Sequence, residues 1–150
     1  VKEYLMNEDR IERDILISAR PETVWPLVAE PGFWAADEGT TRGGAMPGEG
    51  ETFVVHHSQH GAFPMRVEKI DPPHYLACRW VSAFPGEELR EDNSTLVEFT
   101  LTPEGGGTRL RVVESGFAAL PTPEDNRRKV AEDHTAGWEH CLGALVERVG

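Results

Sequence analysis

The sequence predicts an α+β domain: a curved antiparallel sheet of about six or seven strands around a long C-terminal helix, with two short helices after the first strand. Three observations predict it. Thr95 to Thr102 and Thr108 to Ser115 are strand-like, and Gly105-Gly106-Gly107 turns one into the other. From Val130 to Val149 apolar residues recur at helical spacing. The remaining strand-like segments are joined by short links, as an antiparallel meander requires. An apolar helix face that follows a twisted sheet must be buried against it. A sheet curved around the helix, with space left between them, predicts a binding cavity.

Taken in order, Ile11 to Ser18 alternates as a strand, with Ile11, Arg13, Ile15 and Ile17 on one side. Leu16 on the other side predicts that both faces are partly covered. Pro21 and Glu22 open a first helix that runs through Val24-Trp25-Pro26 and is broken at Glu30-Pro31-Gly32. Phe33 to Ala36 reads as a second short helical turn. Residues 40–50 read as a Gly-rich loop or irregular edge strand. Glu51 to Ser58 and Gly61 to Ile70 form a hairpin, and Pro64 places the start of its second strand at an edge or a bulge. Asp71-Pro72-Pro73 is a turn, and His74 to Ser82 a strand with Leu76, Cys78 and Trp80 on one face. Phe84 to Asn93, with Glu87, Glu88, Glu91 and Asp92, reads as an exposed loop. In the long helix, Thr122 is the expected N-cap and Pro123 the first helical residue.

The chain of 150 residues is read as one domain, residues 1–150, with 1–10 a flexible N-terminal extension. A formal net charge of −11 argues against nucleic acid and against an anionic membrane surface, both of which require clustered Lys and Arg. Residues 1–10 are charged and lack the apolar core of a signal peptide, and no stretch approaches membrane-spanning length. Cys78 and Cys141 have no Cys-x-x-Cys pattern and are read as buried free thiols. These features point to a reduced, cytoplasmic protein.

On the long helix, Val130, Ala131, His134, Gly137, Trp138, Cys141, Leu142, Leu145 and Val149 share one face. Trp138 is its natural anchor, and a close approach of a neighbouring element would explain Gly137. His134 is the polar exception, and its imidazole needs a partner or a ligand. Glu114 shares strand parity with Leu110 and Val112 and so points inward. It reads either as a buried acid or base with a raised pKa or as a strand-end ion pair with Arg79 or Arg111. Trp34, Phe53, Met65, Trp80 and Phe99 come from different elements and converge on the cavity or simply fill the core. His56 and His57 are strand neighbours on opposite faces. With His60 they would need a further ligand such as Glu114 or His134 to hold a metal, so the reading is a polar strand with no metal. No catalytic triad, phosphate loop or nucleotide fingerprint is present, and no cofactor is expected.

The chain resembles the family of activator of heat shock protein 90 ATPase homologues, in the START-like, helix-grip (SRPBCC) superfamily. The resemblance rests on Ile15 to Ala19 followed by Val24-Trp25, on Asp71 to Leu76 before Trp80, and on Val97 to Pro103. It continues through Gly107 to Leu110 and Glu114-Ser115-Gly116-Phe117 to Gly137-Trp138 with Leu142 and Leu145. It implies a sheet wrapped around the C-terminal helix and a cavity between them.

The leading functional expectation is a non-catalytic or weakly catalytic cavity protein, more a binding protein than an enzyme, that holds a small apolar or aromatic metabolite. Trp34, Phe53, Met65, Trp80, Phe99, Trp138 and Leu142 would supply apolar contact, and Glu114 and His134 would orient a polar group. The second is an aromatase/cyclase-like or hydratase-like enzyme in which Glu114 and His134 act as acid and base. The third is a co-chaperone-type interaction module with a chaperone as partner.

Overall fold

The computed structural model describes residues 10–29, 48–57, 61–81, 88–90 and 93–149. Within them six strands form one antiparallel, curved open sheet: β1 (Arg10–Ile17), β2 (Thr52–His57), β3 (Gly61–Asp71), β4 (Tyr75–Trp80), β5 (Thr95–Glu104) and β6 (Gly107–Ser115). The spatial order is β1-β6-β5-β4-β3-β2. Strands β2 to β6 form a meander, and β1 joins it beside β6. Helix α1 (Pro21–Val28) follows β1, and a 3-10 turn at Phe117–Ala119 leads into helix α2 (Glu124–Val149). The predicted second short helix, with Trp34, lies outside the described residues, as do residues 1–9. β1 starts at Arg10, the last residue of the expected extension. No described helix is long and apolar enough to cross a membrane.

Strand parity decides the core. Leu110 and Val112 of β6, Val97, Phe99 and Leu101 of β5, Leu76, Cys78 and Trp80 of β4, and Phe63, Met65 and Val67 of β3 are all buried. Ala131, Trp138, Leu142 and Leu145 of α2 join the same apolar cluster. The β5–β6 hairpin turns on Gly105 and Gly106, both with positive φ (57° and 84°), as its two-residue loop demands. Ile17 and Ile11 are buried as β1 parity predicts. Arg13 on that face sits at the sheet edge and reaches Glu139 of α2, Nε to Oε2 3.2 Å. Leu16 on the other face is 49% exposed, so no described element buries it.

Pro64 lies in an interior strand, between β2 and β4, and not at an edge. Its carbonyl accepts from Val81 N–H at 3.1 Å, just beyond the last β4 residue. The missing N–H faces the same way, where the β4 ladder has already ended. The irregularity of β3 falls instead between Val67 and Lys69, where the register with β4 shifts. Helix α2 begins at Glu124, one residue later than expected. The Pro123 carbonyl accepts from Asn126 and Arg127 N–H, both at 3.0 Å, while Thr122 Oγ1 accepts from the Asn126 side chain at 2.8 Å. Pro123 therefore occupies the capping position.

Gly137 is exposed, and a Cβ built there meets nothing within 4 Å, so no close approach explains it. Gly107 is the opposite case: its Cβ would lie 2.4 Å from the Ile17 carbonyl oxygen. Gly137→Ala is expected to raise stability by roughly 0.5–1 kcal/mol by lowering the entropy lost on folding. Gly107→Ala is expected to lower it by about 1–3 kcal/mol, because backbone must move. Urea denaturation of the two variants checks the pair of opposite signs.

Both thiols are free; Cys78 is buried and Cys141 half-buried. Burial, with a small contribution from Glu68, pushes the Cys78 thiol up to about 12, and burial pushes Cys141 up to about 11. Neither is a reactive nucleophile at neutral pH.

Candidate functional site

Glu114 is the centre of the site. It points inward from β6, opposite Val97 of β5 and Ile11 of β1, and its side chain has 0% exposure. Thr95 starts β5, the strand next to it, and Trp80 at the end of β4 is the register partner of Thr95 one strand further on. Across the core, His134 and Trp138 stand four residues apart on α2 and project from the same face one turn apart.

These four side chains converge on one carboxylate. Trp138 Nε1–H donates to Oε1 at 2.8 Å, Trp80 Nε1–H donates to Oε2 at 2.8 Å, and Thr95 Oγ1–H donates to Oε2 at 2.6 Å. His134 Nδ1 lies 2.9 Å from both oxygens. A carboxylate offers about four lone-pair sites, so this one is saturated. His134 is held on its faces as well. Its ring centroid is 5.3 Å from that of Trp80 and 5.6 Å from that of Phe117. With 15% of its side chain exposed, it is the one polar member of the cluster that reaches accessible surface appreciably.

The electrostatics follow from this geometry. Burial pushes the Glu114 carboxyl upward. The charge and hydrogen bond of His134, with the hydrogen bonds from Thr95 and Trp80, outweigh that and hold it below the usual carboxylate range. Glu114 is therefore ionised at neutral pH, contrary to the raised pKa that burial alone predicts. Nor does it pair with either expected arginine. Arg111 and Arg10 hold Glu12 on the outer face, and Arg79 lies 3.5 Å from Glu68. A proton on Glu114 is unavailable at neutral pH, so proton chemistry here has to pass through the imidazole.

The remaining expected site residues are placed as follows. Trp34 lies outside the described residues. Phe53 and Leu142 are each 4% exposed, and Met65 and Phe99 have no exposed surface, so all four are core side chains here. Phe99 packs edge-on against Trp138, centroids 5.7 Å apart. The side chains of His56 and His57, and all of His60, lie outside the described residues. Among the described residues no group of three His, Cys, Asp or Glu could hold a metal ion.

Sequence reasoning missed Thr95, Phe117 and Phe63, whose ring packs edge-on against Trp80 with centroids 5.6 Å apart. Thr95 carried a signal, since it is a polar residue at the parity of Val97 and Phe99. On the outer face a groove of about 370 Å³ includes Asp14, Glu98, Glu104, Arg109 and Arg111. Its charged side chains have partners: Arg109 pairs with Glu104 at 2.7 Å and Asp14 at 3.0 Å, Arg111 pairs with Glu12, and Glu98 accepts from the Tyr75 hydroxyl.

Comparison with known proteins gives a family and a fold. The model of the family described as Activator of Hsp90 ATPase homolog 1-like protein matches residues 18–150. No curated protein matches the sequence. Protein MLL2253 from Mesorhizobium loti is similar in structure, with a TM-score of 0.72 at 23% identity over 92% of this chain and 94% of that one. The Aha1 protein of Colwellia psychrerythraea, solved as a dimer, gives 0.70 at 17% identity over 93% and 95%. CalU16 from Micromonospora echinospora gives 0.62 at 20% identity over 91% of this chain and 75% of that one. At these identities the structural likeness concerns the fold.

Proposed function

The chain belongs to the Activator of Hsp90 ATPase homolog 1-like family, and from that premise we propose that it is a cytoplasmic binding protein for a small apolar or aromatic metabolite. The ligand would lie where α2 faces the concave side of the sheet, against the accessible edge of His134. The observation that carries this reading is the investment in one imidazole. A carboxylate with no exposure, two indole N–H groups and a hydroxyl are assembled in the core, and the member that reaches the surface is His134. Such an arrangement preorganises a polar contact before a ligand arrives. Trp80, Trp138 and Leu142 supply the adjoining apolar wall. Phe53, Met65 and Phe99 support it from behind, and Trp34 is assigned to the same wall from the sequence.

Titration of the ¹⁵N-labelled protein with a library of small aromatic metabolites tests this. The expected result is saturable shifts at the Trp80 and Trp138 indole N–H groups and at His134. A folded protein that shows no shift there with any library member would overturn the reading.

The 2.9 Å contact of a carboxylate with Nδ1 also favours a second reading, an aromatase/cyclase-like or hydratase-like enzyme. In it Nε2 of His134 would exchange protons with a bound substrate and Glu114 would orient the ring. Turnover of a bound compound, lost on His134→Phe, would decide for it. Capture of a chaperone by the native chain, unaffected by substitutions at His134, would instead favour a co-chaperone-type module.

A further inference from the structure

The proton inventory of the buried cluster restricts what can meet it. An ionised carboxylate only accepts hydrogen bonds, so His134 Nδ1, 2.9 Å from both Glu114 oxygens, carries a hydrogen. That assignment leaves Nε2 as a bare acceptor when the ring is neutral and as a donor when it is charged. One ring edge is taken up by Glu114, and Trp80 and Phe117 pack beside the imidazole. The remaining edge carries Nε2, and among the described residues Nε2 has no hydrogen-bond partner.

We propose, resting on the ligand-binding reading above, that the polar group taken by this site is an acidic hydroxyl on a conjugated frame, a phenol or an enol, bonded to Nε2 of His134. A ketone or a carboxylate matches only the charged ring. A hydroxyl matches both forms, donating to one and accepting from the other. An acidic hydroxyl does more, because its proton can move along the bond. The O–H bond breaks, the Nε2–H bond forms, and the electron pair stays on oxygen, delocalised into the frame. Hydroxyl, imidazole and Glu114 carboxylate carry a net charge of −1 before the shift. Oxyanion, imidazolium and carboxylate carry the same charge after it. The imidazolium then lies between two anions, and both of its bonds become charge-assisted, roughly twice as strong as neutral ones. An aliphatic alcohol is too weakly acidic to gain this. Indole and phenyl rings around the imidazole suit the planar remainder of such a ligand.

The test compares 2-naphthol, its methyl ether, 2-naphthylmethanol and naphthalene on the native chain by titration calorimetry. The phenol and anisole pair provides a smaller frame. The expected result is that the aromatic hydroxyl binds about tenfold or more tightly than the ether and the aliphatic alcohol. It should move the His134 Nε2 ¹⁵N resonance, which the ether leaves in place. Equal affinity for hydroxyl and ether overturns this proposal and leaves the binding reading standing. No binding by either frame overturns both. His134→Phe should abolish the preference while retaining naphthalene. If that variant does not fold, the comparison on the native chain still decides the matter.

Discussion

Glutamine at position 114 is expected to lower the unfolding free energy by about 3–5 kcal/mol at neutral pH, the cost typical of breaking a buried ion pair from one side. The amide has the shape of the carboxylate but one acceptor oxygen fewer, and it brings N–H donors of its own. Depending on which oxygen the NH2 replaces, those face Trp138 Nε1 or else Trp80 Nε1 and Thr95 Oγ1, which donate to the carboxylate in the native protein. At least one buried donor is left without an acceptor. The pH dependence follows from the carboxyl being held below the usual carboxylate range in the folded protein. A depressed folded-state value contributes stability that is fully present above the unfolded-state value. That contribution is lost as pH falls through the folded one. The gap between the native chain and Glu114→Gln should therefore shrink as pH falls through and below the usual carboxylate range. Urea denaturation at a series of pH values measures it. A gap that stays constant into strong acid would show that the ionised carboxylate is not its source.

The fold was legible where local chemistry decides conformation. Gly105-Gly106 can take positive φ at two consecutive residues, and the strands on either side of it alternate, so the β5–β6 hairpin follows from sequence alone. The α2 periodicity likewise names Trp138, Leu142 and Leu145 as the buried face. The departures arise where position in the sheet matters. Pro64 reads as an edge residue because it lacks an N–H. The sheet instead places it where β4 has run out, and the sequence of β3 carries no mark of where β4 ends. Leu16 reads as half covered, yet no described element buries it and it stays 49% exposed. Gly137 reads as a contact point because glycine is costly in a helix, and the space around it is empty.

The site was half legible for the same reason. Parity turns Glu114 inward, and helical spacing turns His134 and Trp138 toward the sheet. Neither rule sets how far α2 slides along the sheet, and that slide alone determines whether residues 20 positions apart meet. The direction of the Glu114 shift depends on it too. Burial by itself raises a carboxyl, and the charge and hydrogen bond of His134, with the hydrogen bonds of Thr95 and Trp80, reverse the sign. Cluster members such as Thr95 are individually ordinary. Their role comes from sharing one acceptor.

Trp138→Ala is expected to lose about 3–5 kcal/mol by the removal of a large core side chain, since Trp138 is 3% exposed and packs edge-on against Phe99. That number mixes apolar burial with the indole bond to Glu114. Trp138→Phe separates them: it keeps an aromatic ring in the core and deletes the 2.8 Å N–H contact to Oε1. If the carboxylate draws stability from each donor, Trp138→Phe should still cost about 1–3 kcal/mol, the usual toll of removing one partner from a buried charged group. The same substitution made in a Glu114→Gln background should cost less, with a coupling energy of about 0.5–3 kcal/mol, because the charged acceptor is already gone. Chemical denaturation of the two single variants and the double variant closes the cycle. Additive costs would reduce Trp138 to a core-filling residue. A substantial coupling would mean that the indole holds α2 in the register that brings His134 to Glu114.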